Sequence, residues 1–93
     1  MNVFEIFDKS GRKIRLTKKQ WSHIRRDHPD VQEHEIESTL VEPLQVMSKG
    51  RNKFYYYAYF ENRKFAAKYL RVIVKYLNGE GFVVTAYFVK HTS

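Results

Sequence analysis

The side chains best suited to chemistry are two histidines on a predicted helix, together with basic and hydroxyl groups on the last two predicted strands. The helix carries His23 and His28, and the strands carry Arg71, Thr85 and Tyr87. A histidine takes up or releases a proton near neutral pH, since its reference pKa is about 6.5. Arginine stabilises negative charge, and threonine or tyrosine hydroxyls hold phosphate oxygens. These residue types suit cleavage of RNA, in which the ribose 2′-hydroxyl is the nucleophile and the protein moves protons and stabilises the phosphorus-centred charge.

The residue spacing argues against a metal or cysteine-based site. His23 and His28 are five residues apart, not the four that place two ligands on one helical face, and no carboxylate completes a ligand set. The chain contains no cysteine, so disulfides, thiolate metal sites and cysteine nucleophiles are excluded. We therefore predict neither a metal nor a cofactor.

The charge and the aromatic residues point to an anionic partner. The net charge is +7 over 93 residues, which favours a phosphate backbone or an acidic protein. We predict that RNA is contacted by Arg25, Arg26, Lys75, Tyr55 and Tyr57. The alternative is structural: a solvated basic helix face, and tyrosines that serve mainly for core and cross-strand packing.

The candidate helix also has plainer interpretations. Trp21 and Ile24 lie on one helical stripe and are predicted to fill the core. His23 lies off that stripe, so we predict that it acts as a general base or acid, although it is also placed to pair with Asp27. His28 can instead be a helix-end residue that bonds the last carbonyls.

The predicted elements describe a single α+β domain over residues 1–93. Thr17 with Gln20 predicts a helix start, Pro29 stops that helix near Asp27 or His28, and Asp30 is the predicted cap of a second helix that runs to about Val41. Both helices are predicted to pack on one side of an antiparallel sheet of about four strands. The strand-like segments are 3–7 and 13–16, which form an opening hairpin, and then 44–47, 54–60, 69–76 and 82–89.

The last hairpin leaves the arrangement of the site open. A two- or four-residue loop at residues 78–81 places Arg71 and Lys75 on the face opposite Thr85 and Tyr87. A three-residue loop or a β-bulge brings all four side chains to one face. The sequence permits either arrangement.

The start of the chain has no basic segment followed by an apolar stretch, and no apolar run approaches the length needed to span a bilayer. We expect no signal peptide, no membrane association and a cytoplasmic location.

Several motifs resemble the phage-associated nucleases with the barnase–EndoU–colicin–RelE fold. The resemblance extends from about Leu16 to Tyr87, and its most specific part is the Trp-x-His-Ile-x-x-x-His-Pro pattern over residues 21–29. The later matching pieces are Pro43, Gly50, Leu70–Val74 and Val84–Tyr87.

The resemblance implies a metal-independent endoribonuclease, as a toxin or a phage-associated domain, with RNA and an acidic antitoxin or immunity protein as partners. The family's histidines fall on His23 and His28, its hydroxyl and aromatic positions on Thr85 and Tyr87, and its basic position on Arg71 or Lys75. Two alternatives stand beside it: a non-catalytic RNA- or ribosome-binding module, and a protein-interaction domain with an acidic partner. Binding alone has no use for two positioned imidazoles.

Overall fold

The computed structural model describes residues 2–92, which form two helices and six strands. In chain order the elements are β1 (Asn2–Phe7), β2 (Lys13–Thr17), α1 (Lys18–Asp27), α2 (Glu33–Val41), β3 (Gln45–Ser48), β4 (Lys53–Tyr59), β5 (Tyr69–Leu77) and β6 (Glu80–Val89). The predicted α+β class with two helices is therefore present.

The sheet differs from the predicted antiparallel sheet of about four strands. Its order is β1-β2-β6-β5-β4-β3, so the opening hairpin joins the later meander in one six-stranded sheet. The junction is a parallel pairing of β2 with β6, through Ile14 opposite Gly81 and Arg15 opposite Phe82, which makes the sheet mixed. This arrangement buries Ile14 and Leu16 of β2 completely in the core, and burial of these apolar side chains stabilises the position of the hairpin in the sheet.

One face of the sheet packs against the helices and forms the core. Ile24 of α1 and Ile36 and Leu40 of α2 share one apolar cluster with inward-facing residues of β2, β4, β5 and β6. On β4, Tyr56 faces this cluster, and strand alternation places Tyr55, Tyr57 and Tyr59 on the opposite face, called here the open face. The candidate side chains of β4 and β5 lie on the open face.

The helix boundaries follow local signals closely at α1 and less so at α2. The Thr17 hydroxyl accepts a hydrogen bond from the Gln20 backbone at 3.2 Å, as the capping pattern predicts. Asp30 is not the cap of α2, because α2 begins after Gln32, whose backbone N–H donates to Glu35 at 2.9 Å. Asp30 instead accepts from Arg63 at 3.0 Å.

A tight turn and a bulge determine the geometry of the last hairpin. Asn78 and Gly79 have φ values of 53° and 82°, so they form the two-residue loop that their sequence favours, with Leu77 opposite Glu80. The register then shifts: Val74 lies opposite Val83, whereas Ile73 lies opposite Thr85. The extra residue is Val84, and the bulge reverses the facing of everything after it. Thr85 and Tyr87 consequently share the open face with Arg71 and Lys75.

A buried polar cluster connects the opening hairpin to the middle of the sheet. Asp8 follows β1, and its carboxylate contacts the Tyr56 and Tyr76 hydroxyls at 3.0 and 3.2 Å. The two hydroxyls are 2.5 Å apart, and Ser10 donates to Asp8 from both its backbone and its side chain. Arg12 lies over the Tyr76 ring, 4.0 Å from its centroid. This cluster lies on the helix side of the sheet, away from the candidate site.

No helix formed by residues 2–92 has the length and apolar character required to cross a membrane.

Candidate active site

Arg71 is the centre of the polar side chains on the open face. Its Nε donates to the Tyr57 hydroxyl at 2.9 Å, and its Nη1 donates to the Tyr87 hydroxyl at 3.0 Å. Tyr57 and Tyr87 lie directly opposite Arg71 on the two neighbouring strands. The sheet register itself therefore holds the guanidinium between two phenols.

The charge of Arg71 is not neutralised by the residues described. Its protein partners are hydroxyls, and no ion pair among residues 2–92 includes it. Burial acts to lower the pKa of Arg71, but the hydrogen bonds to Tyr87 and Tyr57 outweigh burial and raise that pKa. A half-buried cation without a carboxylate is an attractive position for an anion.

His28 lies beside this group at the end of α1. It is the residue that closes the helix: its backbone N–H donates to the Ile24 carbonyl at 2.7 Å, and Pro29 follows. Its ring centroid is 5.3 Å from that of Tyr87, with the two rings tilted by 31°. The imidazole and the guanidinium thus contact the same tyrosine, one at the ring and the other at the hydroxyl.

Gln20 fixes the start of α1 against β6. Its side-chain amide donates to the Val84 carbonyl at 2.7 Å. β2 pairs with β6 only at Gly81 and Phe82, so it provides no partner for that carbonyl. The Gln20 side chain of α1 therefore contacts the extra residue that forms the bulge.

Thr85 lies on the open face with Arg71, Tyr57 and Tyr87, but it forms no hydrogen bond with any of them in the described part of the chain. It is half-buried and lies opposite Ile73, one register step from the Arg71–Tyr87 pair. Within residues 2–92 its hydroxyl has no hydrogen-bonding partner.

His23 is separate from the group in the described part of the chain. It is half-buried on α1, and no hydrogen bond, ion pair or ring contact there joins it to another candidate residue. Asp27, its possible partner, accepts instead from Arg26 at 3.2 Å. The assignment of His23 as acid or base stays a prediction.

The residues predicted to bind RNA occupy three different environments. Tyr57 is completely buried, so its ring has no surface for a base, and its role is to position Arg71. Tyr55 is half-buried on the open face, and Lys75 is exposed on the same face. Arg25 and Arg26 are exposed on α1, where Arg25 lies over the Trp21 ring at 5.6 Å.

Two lysines near Tyr55 were not predicted from the sequence. The ammonium groups of Lys49 and Lys53 lie 5.6 and 5.7 Å from the Tyr55 ring centroid. Lys53 could have been identified from strand alternation, because it lies two residues before Tyr55 and therefore on the same face. Lys49 could not, since it lies near Tyr55 only because the turn at residues 49–52 folds the chain back onto β4.

No cluster of three or more His, Asp or Glu side chains within residues 2–92 is arranged to hold a metal ion. Comparison of the chain with family models, with characterised proteins and with solved structures gives no match of any kind. The resemblance to the barnase–EndoU–colicin–RelE nucleases accordingly stays a prediction.

Proposed function

We propose that this protein is a metal-independent endoribonuclease, acting as a toxin or a phage-associated RNA-cleaving domain. One observation carries the proposal: His28 and Arg71 contact the same tyrosine, Tyr87, on an open sheet face. The shared contact supports the proposal because an imidazole can transfer a proton and a guanidinium without a carboxylate partner among residues 2–92 can stabilise negative charge, and cleavage at a phosphate needs both.

The proposed reaction is an internal transesterification. The ribose 2′-oxygen attacks phosphorus and loses its proton to a general base, for which His28 is the leading candidate. The bond between phosphorus and the 5′-oxygen breaks, and a general acid protonates that oxygen. The products are a 2′,3′-cyclic phosphate and a 5′-hydroxyl.

Arg71 is suited to stabilise the phosphorane-like charge. Its Nε and Nη1 are held by hydroxyls, and within residues 2–92 its Nη2 has no protein acceptor. A guanidinium held at two nitrogens keeps its orientation without reorganisation, and its third nitrogen can donate to a phosphate oxygen.

Tyr87 is the nearest candidate for the second proton transfer. Its hydroxyl oxygen accepts from Arg71, which leaves its own proton for another acceptor. Thr85 lies on the same face and can orient a phosphate oxygen, and His23 is the remaining titratable candidate on α1. We propose an acidic antitoxin or immunity protein as the partner that restrains this activity in the cell.

The first test is cleavage of an end-labelled RNA by purified protein in EDTA, with identification of the product termini. We expect a 2′,3′-cyclic phosphate, and we expect His28→Ala to lower the rate by about 10²–10⁴-fold, the scale of a lost proton-transfer group. His34→Ala is the matched control, because His34 is exposed on α2. His23→Ala, assayed in parallel, tests the earlier assignment.

Two results would contradict the proposal. One is activity that EDTA abolishes and a divalent ion restores. The other is a parent protein that binds RNA tightly without cleaving it, which would favour the non-catalytic RNA-binding module.

A further inference from the structure

Two lysines face each other across β4 and β5 at the end of the sheet away from the β4–β5 loop. Lys53 and Lys75 are directly opposed in the antiparallel register and lie on the open face. Directly opposed like charges destabilise a strand pair. Neither lysine forms an ion pair with a carboxylate among the described residues. An anion between them would remove this repulsion.

Tyr55 lies next to this pair and is itself surrounded by cations. Its ring centroid is 5.6 Å from Lys49 Nζ, 5.7 Å from Lys53 Nζ and 5.0 Å from the Arg71 guanidinium carbon. Lys49 and Lys53 are exposed, so their ammonium groups can turn from the ring to a phosphate. The Tyr55 ring then becomes available to a flat aromatic ligand.

Arg71, Tyr55 and the Lys53–Lys75 pair follow one another along the open face. Arg71 lies opposite Tyr57, Ile73 lies opposite Tyr55, and Lys75 lies opposite Lys53. Each step is two residues of strand, or about 7 Å. The order is therefore a single cation without a carboxylate partner, an aromatic ring and a pair of lysines. A single-stranded nucleic acid presents the complementary order of phosphate, base and phosphate.

We propose that Lys49, Lys53, Tyr55 and Lys75 form a binding subsite for the nucleotide that flanks the phosphate held by Arg71. The base stacks on Tyr55, and the next phosphate lies between Lys53 and Lys75. The subsite takes single-stranded nucleic acid without a base preference, because stacking and charge do not distinguish among bases. Its position next to a scissile phosphate rests on the proposed ribonuclease function, whereas binding to single strands does not.

The experiment measures binding of fluorescent single-stranded DNA, which lacks the 2′-hydroxyl and cannot be cleaved. The probes are a thymidine oligonucleotide and an abasic oligonucleotide with the same number of phosphates. The variants are Lys53→Gln/Lys75→Gln and Tyr55→Leu, with affinity measured over a range of salt concentrations. Lys64→Gln/Lys90→Gln is the matched control, because it removes the same charge from exposed lysines outside the proposed subsite.

We expect Lys53→Gln/Lys75→Gln to lower affinity about tenfold and to reduce the salt slope by about 0.7 for the lost phosphate contact. Its thermal stability without nucleic acid should equal or exceed that of the parent, because the opposed charges are gone. Tyr55→Leu should lower affinity for the thymidine probe about tenfold and leave the abasic probe almost unchanged.

Equal losses in the two double variants would overturn the proposal, because they would show a general charge effect. Equal affinity of the parent for the two probes would also overturn it, since the surface would then take any acidic polymer, including an acidic protein. Failure of the protein to cleave RNA would contradict the proposed function alone. If Lys53→Gln/Lys75→Gln and Tyr55→Leu leave both RNA cleavage and DNA binding unaltered, the subsite alone is contradicted.

Discussion

Arg71 differs from the other half-buried arginines in the partners that hold it. Arg12 contacts Asp8 at 3.5 Å, Arg15 contacts Glu80 at 2.8 Å and Arg63 contacts Asp30 at 3.0 Å, so all three are paired with carboxylates. Among residues 2–92 the hydrogen bonds of the Arg71 side chain go only to the hydroxyls of Tyr57 and Tyr87. Hydroxyls orient a guanidinium without cancelling its charge, so the charge of Arg71 stays available to an anion.

At this scale we predict that Arg71→Lys retains the charge and loses most of the activity. An ammonium group cannot bond two flanking hydroxyls and still present a fixed third donor. RNA cleavage should fall about 10²-fold, as for loss of one preorganised donor to a developing negative charge. Unfolding should be easier by about 1–3 kcal/mol, the combined value of two hydrogen bonds. Cleavage close to the parent rate would show that charge alone is sufficient.

The residue types of this site were readable from the sequence, but the role of Tyr57 was not. Strand alternation puts Tyr55 and Tyr57 together on the face opposite Tyr56. It could not show that Tyr57 is buried, because burial depends on the side chains that neighbouring strands bring to it. Its function in holding Arg71 emerges only from the register of β4 with β5.

At the scale of elements, a single extra residue in β6 decides whether Arg71 and Tyr87 lie on the same face of the sheet. The two-residue turn at Asn78 and Gly79 would by itself place Arg71 opposite Ala86, and Tyr87 would then face the core. The bulge at Val84 corrects this and places Tyr87 opposite Arg71. The sequence allowed both outcomes, because the position of a bulge depends on contacts with distant segments; here the Val84 carbonyl accepts a hydrogen bond from Gln20 of α1.

Gln20→Met tests this coupling between α1 and the bulge. Methionine keeps the length of the side chain but cannot donate to the Val84 carbonyl, so about 1 kcal/mol of stability should be lost. Cleavage should fall about tenfold, since small displacements of reacting groups have large effects on rate. Gln45→Met is the control, because Gln45 is exposed on β3. If Gln20→Met loses stability but cleaves RNA at the parent rate, the contact between α1 and the bulge is not needed for activity.

At the scale of the whole molecule, the opening hairpin is attached to the sheet by very few backbone contacts. Its parallel pairing with β6 involves two residue pairs. The sequence predicted the hairpin but not this junction, because parallel pairing between distant segments leaves no local pattern. The Asp8 cluster supplies the additional attachment, since it joins the hairpin loop to β4 and β5 through the Tyr56 and Tyr76 hydroxyls.

This attachment should depend on pH. Burial acts to raise the pKa of Asp8, but hydrogen bonds from Ser10, the Arg12 backbone and Tyr56, with the charge of Arg12, lower it overall. The ionised carboxylate therefore contributes stability above its unfolded-state pKa of about 3.9, and this contribution is lost as the pH falls through the lower folded-state pKa.

We predict that Asp8→Asn lowers the free energy of unfolding at pH 7 by about 1.5–3 kcal/mol, the value of a hydrogen bond to a charged group. The difference from the parent should shrink as the pH falls below about 4, because the parent carboxylate then becomes neutral as well. Chemical denaturation at a series of pH values measures this difference directly. Asp27→Asn should show almost no effect at any pH, since Asp27 is exposed and its pair with Arg26 lies on the surface. A difference that stays constant from pH 7 to pH 2 would show that Asp8 stabilises the hairpin by its shape and not by its charge.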